Sequence, residues 1–261
     1  MRLIVFGSNG PTGRLLVADA LAAGHSVTAF TRHPADFDST DSSGSAPSPA
    51  APEGSLGAAV TTGGADARLT VIEGDVYDAA SVERAVAGHD AVISTLGVPF
   101  GKQPITVYSV GLTAIIRAMQ AQHVSRLVCV SSSAVDLTVG AHGGFFFEKV
   151  LQPYFVNVMG KTLYTDMRAM EEIVRTSDVD WTIVRPSGLF ETPGVTDYAT
   201  AETFVKSKFT SRADLAACLL SQATSTEYIR KVVAVGTVSV QPSLVQLLWR
   251  EGISKQRLRT T

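Results

Sequence analysis

The stretch that most limits what this chain can become is its first turn. An apolar run, Leu3-Ile4-Val5-Phe6, meets Gly7-Ser8-Asn9-Gly10-Pro11-Thr12-Gly13, and helical periodicity then takes over across residues 12–23. Glycines spaced by three between a strand and a helix have separate tasks. Gly7 permits a tight turn, Gly10 lets a ligand approach the backbone, and Gly13 lets helix and strand pack closely. Free N–H groups and the positive end of the helix dipole then face an anion. Gly7, Ser8, Asn9, Gly10, Pro11, Thr12 and Gly13 are thus expected to cradle the diphosphate of a dinucleotide. A Walker-type phosphate loop is excluded, because Gly160-Lys161-Thr162 has Phe155 where its partner glycine should stand.

The rest of the chain repeats the same rhythm. Strands are expected at residues 3–6, 26–30, 69–72, 91–94, 127–130, 181–184 and 231–235, with helices at 12–23, 79–87, 107–122 and 162–176. Several strands are apolar at nearly every position, as strands covered by helices on both faces are. The alternation predicts an α/β fold, a Rossmann-type doubly wound parallel sheet. We expect a single domain over 1–261, with 186–261 as a small C-terminal portion on the substrate side. Residues 39–66 interrupt the pattern with Ser, Ala, Gly, Pro, Thr and Asp, and read as a disordered insertion unable to offset its ordering entropy. Residues 140–160 carry Phe145, Phe146, Phe147, Tyr154 and Phe155 after the fifth strand, where such sheets place ligand loops. Two readings stand there: an apolar lid over a substrate, or a packed insertion or subunit contact.

Composition removes several classes of function. The 261 residues are 45% hydrophobic and 18% charged, a balance that suits a cored globular protein. The net charge is −2 and no Lys/Arg run exceeds two residues, so neither nucleic acid nor an anionic membrane is an expected partner. Cys129 and Cys218 lie in apolar segments and read as buried free thiols of a reducing compartment. No charged leader precedes the first strand, and no apolar run approaches the ~18 residues of a membrane span. A cytoplasmic protein, monomer or homodimer, acting on a small-molecule substrate is expected. His25, His33, His89, His123 and His142 form no metal-ligand spacing.

The second strand should choose the cofactor. Enzymes using NAD usually place an acid there for the ribose 2′-hydroxyl. This chain has Ala29-Phe30-Thr31-Arg32-His33-Pro34 instead. Arg32 can hold a 2′-phosphate with charge-assisted bonds and Thr31 can donate another, which predicts NADPH (NADP+). Asp75, in Glu73-Gly74-Asp75-Val76, either holds the adenine amino group or caps the helix beginning near Asp78. Leu96 and Gly97, at the end of the fourth strand, should bring backbone close to the cofactor.

Together, the glycine turn, Thr31-Arg32, Gly74-Asp75-Val76, Ser131-Ser132-Ser133 and Asp180-Trp181-Thr182-Ile183-Val184-Arg185-Pro186 resemble the atypical short-chain dehydrogenase/reductase group. Within it the chain is most similar to NAD(P)H-binding proteins related to biliverdin reductase B and to NmrA-like proteins. The resemblance covers roughly residues 1–235 without 39–66, and includes Ser211-Arg212-Ala213-Asp214-Leu215-Ala216. It implies that Ser132 is the active-site serine, with Ser131 beside the cofactor. The wider superfamily adds a tyrosine and a lysine four residues apart on one helix face. Alignment puts Tyr164 and Arg168 there, so arginine replaces lysine; Lys161, one turn earlier, is another cation. A histidine found after the sixth strand in relatives of biliverdin reductase B is absent, since Pro186-Ser187-Gly188 occupies the region.

The resemblance implies an NADPH-dependent reductase of a small acceptor such as a quinone, a flavin or a conjugated carbonyl. The departures from pattern leave open an NmrA-like sensor that reports cofactor redox state to a partner. A nucleotide-sugar epimerase or dehydratase is disfavoured, because the part after Pro186 is short for a large substrate domain.

Overall fold

All seven expected strands form, and they lie parallel in one sheet. The computed structural model describes residues 1–37, 59–60, 67–99, 101, 103–136 and 160–242. The strands are β1 (Arg2–Phe6), β2 (Ser26–Thr31), β3 (Ala59–Val60), β4 (Leu69–Glu73), β5 (Ala91–Ser94), β6 (Arg126–Val130), β7 (Asp180–Pro186), β8 (Gly188–Phe190), β9 (Tyr198–Ala201), β10 (Phe209–Ser211) and β11 (Lys231–Thr237). The main sheet has nine strands in the order β3-β4-β2-β1-β5-β6-β7-β11-β9. The chain runs outward from β1 in one direction and then resumes on its other side at β5. A crevice therefore opens beyond the C-terminal ends of β1 and β5, where open α/β sheets bind ligands.

The helices are α1 (Pro11–Ala22), α2 (Ala79–Val86), α3 (Val107–Ala121), α4 (Lys161–Arg175) and α5 (Arg212–Thr224). Strand geometry sends alternate side chains of β1 to opposite faces. Leu3 and Val5 pack with Leu16 of α1 and Leu215 of α5, while Ile4 and Phe6 pack with Leu112 and Ile115 of α3 and Met170 of α4. Both faces are thus covered, which is why β1 is apolar from Leu3 to Phe6. Each such side chain contributes about 1.5–3 kcal/mol by burial.

Two departures from expectation concern the margins. Residues 39–66 were expected to be wholly irregular, yet Ala59 and Val60 pair antiparallel with Ile72 and Val71 and extend the sheet; the remainder of that segment lies outside the described residues. The aromatic residues of 140–160, on which the lid and packed-insertion readings both fall, lie outside them too. Beyond Pro186, β9 joins β11 antiparallel and β8 pairs with β10 in a separate two-stranded sheet. These strands have three or four residues each, too few for period-two alternation to stand out. Cys129 and Cys218 are both free and buried. Among the described residues no helix is long and apolar enough to cross a membrane.

Candidate functional site

The glycine turn is held together largely by atoms it does not have. Gly7 has φ +81°, and a Cβ there would lie 2.7 Å from the carbonyl carbon and oxygen of Thr95. A Cβ on Gly13 would come within 2.3 Å of the Gly7 oxygen. The protein itself therefore requires both glycines. Gly10 and Gly97 are different: an added carbon would meet only the Gly7 oxygen at 3.2 Å in one case and the Thr95 oxygen at 3.9 Å in the other. Gly10 is thus tight but not blocked and Gly97 is open, and a bare backbone at both is what close passage of a dinucleotide needs. Gly10 begins α1 without a side-chain cap and donates its own N–H to the Gly7 carbonyl at 3.0 Å. Pro11, which has no N–H, takes the first helical position, so the amides that follow Pro11 are those an anion would meet.

Side chains tie this turn to its neighbours. Ser8 is fully buried and donates to the Phe30 carbonyl at 3.1 Å, and Thr12 accepts from Arg212 at 3.5 Å. Asn9 donates through Nδ2 to the Thr31 hydroxyl (2.7 Å) and the His33 carbonyl (2.9 Å), while its buried Oδ1 has no hydrogen-bond partner among the described residues. Arg14 donates to the Asn9 and Asp36 carbonyls at 3.1 and 2.5 Å. Thr31 is buried and accepts from both Asn9 and the His33 N–H, whereas Arg32 beside it is exposed. From the other side, the Thr95 hydroxyl donates to the carbonyls of Phe6 and Gly7, each at 3.1 Å. Sequence reasoning missed Thr95, because nothing local marks it.

Asp75 is not the cap of α2. Asp78 is, accepting from the Ala80 N–H, while Asp75 accepts from the Tyr77 N–H at 3.0 Å and shapes the approach to the helix. Leu96 is partly buried against the core, and Gly97 is exposed beyond it.

A second constellation lies beyond β6. Ser132 caps the short turn Ser133–Val135, accepting from the Ala134 N–H, and its side chain lies close enough to Tyr164 of α4 to favour the phenolate. Burial pushes the Tyr164 phenol up and the Ser132 side chain only partly offsets this, so the hydroxyl stays protonated at neutral pH. Arg168 donates through Nε to the Val135 carbonyl at 3.1 Å. Lys161 is exposed at the start of α4. Ser131, expected beside the cofactor, is buried and donates to Glu171 Oε1 at 2.7 Å. Glu171 also takes Arg185 at both oxygens (2.9 and 2.6 Å) and Arg175 at 3.3 Å. Burial alone would raise the Glu171 carboxyl, but its bonds from Arg185 and Ser131 and the nearby guanidinium charges hold it below the ordinary carboxylate range. Asp136 lies 3.5 Å from the other side of Arg185, next to a small recess lined by Ser133, Ser187, Thr203 and Ala234. Sequence reasoning overlooked Glu171 and Arg185. The only signal was the spacing of Tyr164, Arg168, Glu171 and Arg175 along one helix face.

A family described as NAD(P)H-binding matches residues 58–226. The chain belongs to that NAD(P)H-binding family. The match begins after the glycine turn, so the geometry at residues 7–13 supports nucleotide binding independently of it. Among relatives, an uncharacterized chloroplastic protein of Arabidopsis thaliana is 29% identical over 199 residues, 74% of this chain and 60% of its own length. An isoflavone reductase homolog of Zea mays is 36% identical over 96 residues, 37% of this chain and 26% of its own. The chain thus spans under two thirds of these curated relatives. A Veillonella parvula short-chain dehydrogenase/reductase solved in complex with NADP superposes with a TM-score of 0.69 at 17% identity, covering 93% of this chain and 99% of that one. An anaerobillin reductase from Escherichia coli O157:H7 superposes at 0.65 with 19% identity, covering 93% and 100%. At such identities these two establish that this NAD(P)H-binding protein shares their fold.

Proposed function

We propose that this NAD(P)H-binding protein is an NADPH-dependent reductase of a small acceptor, a quinone, a flavin or a conjugated carbonyl. The observation that carries the reading is the Ser132 side chain set beside the Tyr164 phenol, close enough to favour its ionised form, at the same edge of the sheet as the glycine turn. The names of the maize homolog and the Escherichia coli neighbour, both reductases, agree with it. The turn over residues 7–13, through the free amides that follow Pro11, would carry the diphosphate, Arg32 with Thr31 the 2′-phosphate, Asp75 the adenine, and the Leu96–Gly97 backbone would pass close to the nicotinamide half. When bound, NADPH supplies the hydride. Tyr164 Oη supplies a proton to the acceptor while Ser132 Oγ orients it. A phenol kept protonated by burial suits delivery of a proton, the direction of reduction. Arg168 acts by fixing the Val135 carbonyl. Residues 186–261 would form the substrate side, with the recess beside Arg185 near the acceptor. Buried free thiols fit a reducing compartment such as the cytoplasm.

The position of Arg168 supports a second reading. A guanidinium bonded to Val135, with no lysine in the usual place, also suits an NmrA-like sensor with little catalysis. Calorimetry with both nucleotides, followed by a screen of NADPH oxidation against naphthoquinone, riboflavin and enone acceptors, separates the two. Tight NADPH binding with turnover is expected. Bound NADPH with no turnover on any acceptor favours the sensor, and NADH binding as tightly as NADPH overturns the choice of cofactor.

A further inference from the structure

Three successive turns of α4 grip three residues of the segment that follows β6. Tyr164 meets Ser132, Arg168 meets the Val135 carbonyl, and Glu171 meets the Ser131 hydroxyl. The deepest grip is that of Glu171, only 4% exposed. A carboxylate offers about four acceptor positions, and the Ser131 hydroxyl, two nitrogens of Arg185 and one of Arg175 reach it. Arg185 comes from β7, the neighbour of β6, so Glu171 is fixed from the helix and from the sheet together. Ser131 is held in turn at both ends, its N–H on the Val184 carbonyl at 2.8 Å and its hydroxyl on Glu171. Ser132 is the next residue along. An ion pair serving architecture alone is already complete between Glu171 and the two arginines. The serine hydroxyl adds only a link from that pair to the turn carrying Ser132.

We propose that Glu171 and Ser131 are positioning residues: through Ser131, Glu171 holds Ser132 against Tyr164, and neither touches cofactor or acceptor. The assignment rests on the reading of Tyr164 as proton donor, and the two can be tested apart. The full chain is labelled at tyrosine 13Cζ and titrated by NMR, with Tyr164→Phe identifying the Tyr164 signal. Ser131→Ala should move the Tyr164 titration to higher pH, since the Ser132 side chain favours the phenolate. Ser131→Thr should restore it. Ser132→Ala should give a similar shift, and the double variant no more than either alone. With naphthoquinone as acceptor, Ser131→Ala should lower kcat about tenfold, one hydrogen bond's worth of positioning, while the Kd for NADPH stays within about twofold. An unmoved Tyr164 titration overturns the proposal, as does a loss confined to NADPH affinity, which would put Ser131 on the cofactor. Ser131→Cys fills the same space with a poor donor and decides the matter should the alanine protein not fold. Full activity of Tyr164→Phe overturns the proton-donor reading. An inactive Tyr164→Phe beside a fully active Ser131→Ala overturns the positioning role alone.

Discussion

The turns after β1 and after β6 lie at the same edge of one sheet and are secured by opposite means. The first depends on missing carbons: Gly7 and Gly13 are places where any side chain would collide with backbone. The second depends on added groups, in which Ser131, Glu171, Arg185 and Arg175 share protons and charge. A steric turn holds its shape at any pH and fails abruptly when an atom is added. A turn held by ionised groups weakens by degrees and responds to acid.

The largest effect should come from breaking the ionic side. Glu171→Ala leaves Arg185, whose side chain is 12% exposed, without its bidentate partner. Denaturant unfolding should report a loss of about 3–5 kcal/mol, as for other broken buried pairs; a loss below 1 kcal/mol would remove the cluster from any structural account. The acid response has a definite sign. Because the folded carboxyl of Glu171 is held low, its contribution is complete above the unfolded value of about 4.3 and fades as pH falls through the folded one. The stability gap between wild type and Glu171→Gln should therefore narrow only under acid conditions, which urea titrations at several pH values would reveal.

On the steric side, Gly13→Ala must displace backbone and should weaken NADPH binding about a hundredfold, close to 2.7 kcal/mol. Wild-type affinity in calorimetry would mean that the turn is softer than its contacts suggest. Arg32→Ala should cost NADPH about 1.5–3 kcal/mol of charge-assisted bonding and leave NADH unaffected; equal losses for both nucleotides would deny Arg32 a 2′-phosphate. The smallest effect sharpens the comparison most. Gly97→Ala meets nothing closer than 3.9 Å, so melting should stay put while NADPH binding drops only a few-fold, about 1 kcal/mol. A lowered melting temperature with unchanged binding would show that the protein, and not its ligand, needs that glycine.

The same contrast separates what was legible in the sequence from what was not. Gly7, Gly10 and Gly13 act within one turn, so spacing alone exposes them, and the seven parallel strands were legible because each is a short, contiguous run rich in β-branched and apolar residues. The grip on Ser131 joins residues 40 apart and the pair with Arg185 joins residues 14 apart. Such partners meet only once the sheet has formed. Arg168 illustrates the limit from the other side. Its spacing from Tyr164 was readable, but not that its guanidinium would seek the Val135 carbonyl. Asp166, a carboxylate on α4 that caps α3 by accepting from the Tyr108 N–H at 2.9 Å, escaped notice for the same reason.

Thr95 gives the two ends of the crevice a common anchor. One hydroxyl at the tip of β5 is shared between the last residue of β1 and the first glycine of the turn. The backbone leaving β1 and the backbone leaving β5 are therefore tied at one point, and in the proposed function a dinucleotide lying across both would rest on that shared bond.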